Sequence, residues 1–141
     1  MIIMVTLLIG KKGSGKTKRL IDEANAAVVS SDGCVVVVEK GSKLTYDLTH
    51  KARLIDSDAY KISGYEALYG LLSGVCAGNY DVTDIFVDST FKIAGSNGDA
   101  LKAFVDKLNF LAEEANTSIT LLISSSKDEL PTDIKATLEE M

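Results

Sequence analysis

The chain has 141 residues, of which 46% are hydrophobic. That is enough for one compact domain with a buried core, and it excludes a disordered or low-complexity chain. One proline and eleven glycines exclude collagen-like and proline-rich architectures. Fifteen basic residues against twenty acidic ones leave a formal net charge of −5. This argues against nucleic acid as a partner, because phosphate neutralisation supplies most non-specific affinity.

Met1–Ile9 is almost wholly apolar. It lacks the preceding basic stretch and following small-residue site of a secretory signal, and Lys11 and Lys12 come after it. No run approaches the ~20 apolar residues of a spanning helix. The expectation is a soluble, cytoplasmic protein with no membrane association. Cys34 and Cys76 lie in apolar segments and read as reduced core thiols.

Ile2–Ile9 is short, apolar and rich in β-branched residues, which predicts a strand buried on both faces. A helix is expected over 16–30, with Leu20, Ile21, Ala24, Ala27 and Val28 at helical spacing. Cys34–Val38 reads as a second buried strand and Ala52–Ile55 as a short third one. Ser63 and Glu66 have capping-box spacing, which places a helix start there. Its stripe is Leu68, Leu71, Leu72, Val75 and Cys76, and Gly78-Asn79 is expected to supply a left-handed stop. Asp84–Asp88 predicts a strand and Ser89–Gly98 a loop. A long helix over 99–115 follows, with Leu101, Phe104, Val105, Leu108, Leu111, Ala112 and Ala115 on one face. Ser118–Ser124 reads as another strand. Pro131 suits the first turn of a last helix reaching about Glu140. The alternation predicts one domain over 1–141, a three-layer α/β/α fold with a mostly parallel sheet.

Residues 10–17 read GKKGSGKT and satisfy G-x-x-x-x-G-K-[ST] at Gly10, Gly15, Lys16 and Thr17. A polyphosphate needs converging backbone N–H donors that side chains would obstruct, and Gly10, Gly13 and Gly15 permit such a wrap around Ser14. The loop opens into a helix, whose first amides and dipole also face an anion. Lys16 can bridge phosphates, and the Thr17 hydroxyl can ligate Mg²⁺. On these residues the chain resembles the P-loop NTPase superfamily, in a minimal form. Asp84-Ile85-Phe86-Val87-Asp88 is similar to its Walker B strand. The resemblance implies ATP and Mg²⁺ as ligands, Lys16 and Asp88 as catalytic residues, and Thr17 and Asp88 as metal ligands, with Asp84 as fallback. In one large branch, a strand between Walker B and the P-loop carries a phosphate-sensing tip, a position similar to Ser124 or Ser125.

Two departures, at Ser89 and in the strand count, qualify the resemblance. Ser89 follows Asp88, where that branch commonly has a water-polarising glutamate. Glu39, at the tip of the second strand, is the candidate substitute. The superfamily's fifth core strand is not evident. No N-K-x-D motif supports guanine specificity. Arg19 and Arg53 are the only arginines, which is thin for a small-molecule or nucleotide kinase. The insert 40–63, with His50 and several tyrosines, reads as a solvated loop with tyrosines against the sheet edge. Tyr65, Tyr69 and Tyr80 are expected in helix packing. The reading is an ATP- and Mg²⁺-binding protein, a slow or partner-dependent ATPase. A non-hydrolysing, nucleotide-regulated binding module and a kinase stand as alternatives. A protein partner or homo-oligomer stays open.

Overall fold

A computed structural model describes residues 3–141. Ile2, placed in the first strand from sequence, lies outside the described residues. Six strands form one parallel sheet: β1 (Val5–Gly10), β2 (Cys34–Glu39), β3 (Arg53–Asp56), β4 (Val82–Val87), β5 (Ser118–Ser124) and β6 (Thr137–Glu140). Their spatial order is β3-β2-β4-β5-β1-β6. The helices are α1 (Lys16–Ser30), α2 (Tyr65–Gly78), α3 (Thr90–Ala94) and α4 (Gly98–Ala115).

The inner strands β1, β2, β4 and β5 are largely apolar because both sheet faces are covered, and their alternation divides the core in two. Leu8, Val35, Val37, Phe86 and Leu122 face α1, where they pack with Leu20 and Ala24. Leu7, Ile9, Val36, Val38, Ile85, Val87, Leu121 and Ile123 point the other way, into a larger cluster with Leu68 and Leu72 of α2 and Leu101, Phe104 and Leu108 of α4. Three layers result, as the sequence implied. Leu44 and Leu48 of the insert are buried against the α1 side, so the insert folds back over the sheet. Its tyrosines do not pack on the sheet edge: Tyr46 and Tyr60 are exposed, and so is Tyr80.

The register sets the level of each strand tip. Gly10 pairs with Ser124 across β1 and β5, Val87 with Leu121 across β4 and β5, and the Asp88 N–H donates to the Val38 carbonyl of β2. All carboxyl ends therefore open onto one edge, where open α/β sheets bind ligands. β5 lies between the strand carrying Asp88 and the strand leading into Gly10.

The last predicted helix does not form. Thr137–Glu140 is instead the edge strand β6, paired with β1 through Thr6↔Thr137 to Ile9↔Glu140. Ile134, Ala136 and Leu138 all pack on the larger cluster, and their spacing of two was the available strand signal. Pairing to the otherwise open edge of β1 outweighs the helix preference of a short segment.

Two helix boundaries also differ from expectation. Gly64, not Ser63, is the N-cap of α2, and no side chain caps it. The Gly64 N–H donates instead to the Ile93 carbonyl of α3, so packing against α3 sets the entry. Asn79 caps the other end in extended rather than left-handed backbone.

Tyr65 ties α2 to this layer. Its ring centroid lies 5.0 Å from that of Phe104, and its hydroxyl donates to the Gly95 carbonyl at 2.7 Å. Burial raises its pKa to about 12 from an ordinary 10.0. The neutral phenol is thus favoured in the folded state. Its contribution is complete below pH 10 and is lost as pH rises toward 12. In thermal unfolding between pH 9.5 and 11.5, Tyr65→Phe should lose less stability with rising pH than the parent chain. An identical slope for the two proteins would contradict the assignment.

Candidate functional site

The turn after β1 is built by its glycines. A Cβ on Gly10 would meet the Ser14 side chain and crowd Met141, so glycine leaves room for the loop to fold back at that point. Gly15 caps α1 in left-handed backbone, φ 95°, which disfavours any residue with a Cβ. The Ser14 N–H donates to the Lys11 carbonyl at 3.1 Å. The first bond of the α1 ladder runs from the Arg19 N–H to the Gly15 carbonyl. The amides of residues 16–18 precede that ladder and face the loop mouth with the positive end of the helix dipole.

Lys16 braces the ring from inside. Its Nζ donates to the carbonyls of Gly10 at 2.7 Å and Lys11 at 3.1 Å, and the residue is buried. Burial pushes the ammonium below the ordinary lysine pKa, and the nearby Asp88 charge pulls it back. The Lys16 Nζ is directed along the loop.

Asp88 closes the other side. It is 8% exposed, and its two oxygens accept from different hydroxyls: Thr17 Oγ1 at 3.3 Å and Ser89 Oγ at 3.3 Å. The sequence separation between Thr17 and Asp88 is 71 residues. A hydroxyl and a carboxylate in contact offer the hard oxygen donors that Mg²⁺ takes, with water and phosphate completing its shell. Both hydrogen bonds are long and easily exchanged for a metal bond, so Thr17 and Asp88 fit that ion. Asp84 does not: it pairs with Ser118 near the start of β5 and accepts from the Thr83 hydroxyl.

Between these elements lies a cavity of about 560 Å³. Gly13, Gly15, Lys16, Thr17, Asp88 and Ser124 all border it. Lys12, Lys18 and Lys92 do as well, which makes four lysines against one carboxylate. Lys18 also pairs with Asp22 at 3.1 Å on the exposed face of α1. Ser124 stands at the cavity, whereas Ser125 does not line it and donates to the Ser126 carbonyl.

The other candidates lie elsewhere. Glu39 is 2% exposed, and its two carboxylate oxygens accept from the N–H groups of Lys43 at 2.9 Å and Leu44 at 3.1 Å. It pins the start of the insert and does not line the cavity. Arg19 is held by Glu139 and Glu23. Arg53 pairs with Val36 at the amino end of β3, and His50 is exposed in the insert.

Sequence reasoning missed α3. Five residues are too few for periodicity, and the flanking Ser and Gly residues read as loop. Yet α3 brings Phe91 and Lys92 to the cavity. Its N-cap, Ser89, sits in left-handed backbone, φ 56°, a conformation that costs a non-glycine residue. No protein-family model matches the chain, and no curated protein matches it.

Gly15→Ala should lower folding stability by about 1–2 kcal/mol, the cost of left-handed backbone for a residue with a Cβ. Urea titration followed by circular dichroism would measure it, and an unchanged midpoint would contradict the strained cap.

Proposed function

We propose that the protein binds a nucleoside triphosphate, ATP in the first instance, together with Mg²⁺, and turns it over slowly. The observation that carries this reading is the charge at the loop. In a chain of net charge −5, Lys12, Lys16 and Lys92 and a helix N-terminus border a cavity with one carboxylate in its wall, the fourth lysine there, Lys18, being paired with Asp22. Such focusing suits a polyanion. The resemblance of residues 10–17 and 84–88 to the P-loop NTPases supports the same ligand.

On this reading the loop amides and Lys16 hold the phosphates in place, and Lys16 also offsets charge as it develops on them. Thr17 and Asp88 hold the metal, which when bound neutralises phosphate charge. Ser124 stands at the terminal phosphate. The work is positioning and electrostatic stabilisation, with no covalent intermediate on the protein.

Two observations bear on the alternatives. Both oxygens of Glu39 are occupied by amides, and Ser89 follows Asp88. The usual water-polarising position is thus unfilled, which favours slow turnover or a nucleotide-regulated binding module. Arg19 and Arg53 both lie away from the cavity, which disfavours a kinase, whose transition state calls for clustered guanidinium groups.

A thermal-shift titration tests the reading. Mg·ATP at a hundred times its dissociation constant should stabilise the fold by about 2.7 kcal/mol, a shift of several degrees. Lys16→Ala should abolish the shift, and Asp88→Ala should remove only the increment that Mg²⁺ adds. If no nucleoside triphosphate moves the melting temperature, the proposal fails.

A further inference from the structure

A second cavity, of about 190 Å³, adjoins the first at the tip of β5. The two share Phe91 and Ser124 as wall residues. On its far side the smaller one is bordered by Ser125 and by Glu129, which lies in the single helical turn Lys127–Glu129 that follows β5. We propose that this second cavity holds the attacking water and that Glu129 is the catalytic base of triphosphate hydrolysis. The inference rests on the nucleotide reading above.

Three observations lead to Glu129. First, hydrolysis needs a proton acceptor beside the terminal phosphate, and the two cavities have two carboxylates in their walls among the described residues, Asp88 and Glu129. Asp88 is engaged by two hydroxyls and is the metal candidate. Second, Glu129 is oriented but not used up. One oxygen, Oε1, accepts from the Ser126 hydroxyl at 2.8 Å and from its N–H at 3.5 Å. The other oxygen has no donor among the described residues. Third, the two cavities are contiguous, with Phe91 and Ser124 in the walls of both, so a water in the second would stand next to a phosphate held in the first. A water in liquid takes up about 30 Å³, so the space admits a nucleophile and neighbours that orient it.

The Ser126 bonds hold the Glu129 carboxyl below its ordinary range, and the charge of Lys11 in the phosphate loop adds to the effect. The group is therefore a carboxylate at neutral pH. In the step proposed, the water oxygen forms a bond to the terminal phosphorus. The bond from that phosphorus to the bridging oxygen breaks, its electron pair leaves on the diphosphate, and the water proton passes to Glu129 and then to solvent.

The test measures phosphate release at saturating Mg·ATP across pH, alongside ATP binding by calorimetry, for the parent chain, Glu129→Gln and Glu129→Asp. Glutamine keeps an acceptor for Ser126, so the turn should persist. The parent rate should fall as pH drops through the carboxyl titration. Glu129→Gln should bind ATP as the parent does, release phosphate about 10²- to 10⁴-fold more slowly, and lose that acid limb. Glu129→Asp should retain the limb. Parental turnover in Glu129→Gln, or a parent that binds ATP and never releases phosphate, overturns the assignment and leaves nucleotide binding standing. Absence of ATP binding by the parent overturns both.

Discussion

Parallel pairing of β4, β5 and β1 is the constraint on which the site depends. Because the three strands run the same way in fixed register, Gly10, Ser124 and the residue after Val87 arrive together at one edge. The glycine-rich loop, the serine tip and Asp88 then need no further machinery to meet. The strands stay in register because each is buried on both faces. A slip of one residue would exchange the sets facing the two core clusters.

The packing on those faces also determines what reaches the edge. α1 is anchored by Leu20 and Ala24 against Leu8 and Val37, which fixes its N-terminus over the loop. The short α3 is held through Ile93 in the opposite cluster and through the Gly64 amide. It supplies Lys92 and Phe91 to a cavity that no strand tip could furnish with them. Between two sheet faces of unequal cover, the site is a seam where α1 and α3 approach the same strand ends from opposite sides.

Charge follows a similar logic. The chain is acidic overall, yet lysines border the cavity at the loop, so the local potential there differs in sign from the net charge. Burial of Lys16 sharpens this, because a cation braced by the Gly10 and Lys11 carbonyls cannot swing into solvent. Glu39 shows the opposite use of a charged group. Held by two backbone amides, it stabilises the turn that opens the insert and is chemically withdrawn.

Much of this was legible in the residues. Apolar runs revealed β1, β2, β4 and β5 and a short segment hinted at β3, the helical stripes of α1, α2 and α4 revealed three helices, and GKKGSGKT marked the glycine-rich loop with Lys16 and Thr17. These features are local: periodicity and glycine spacing express backbone geometry within a few residues. The sequence could not say that Thr137–Glu140 pairs with β1, that Glu39 caps the insert, that Tyr80 is exposed, or that Glu129 borders a cavity beside the loop. Each depends on partners far away in the chain, and edge pairing, burial and amide capping outweigh the weak preferences of short segments. Composition and spacing determined the architecture and the loop; which charged groups are free to act was decided only when the chain closed on itself.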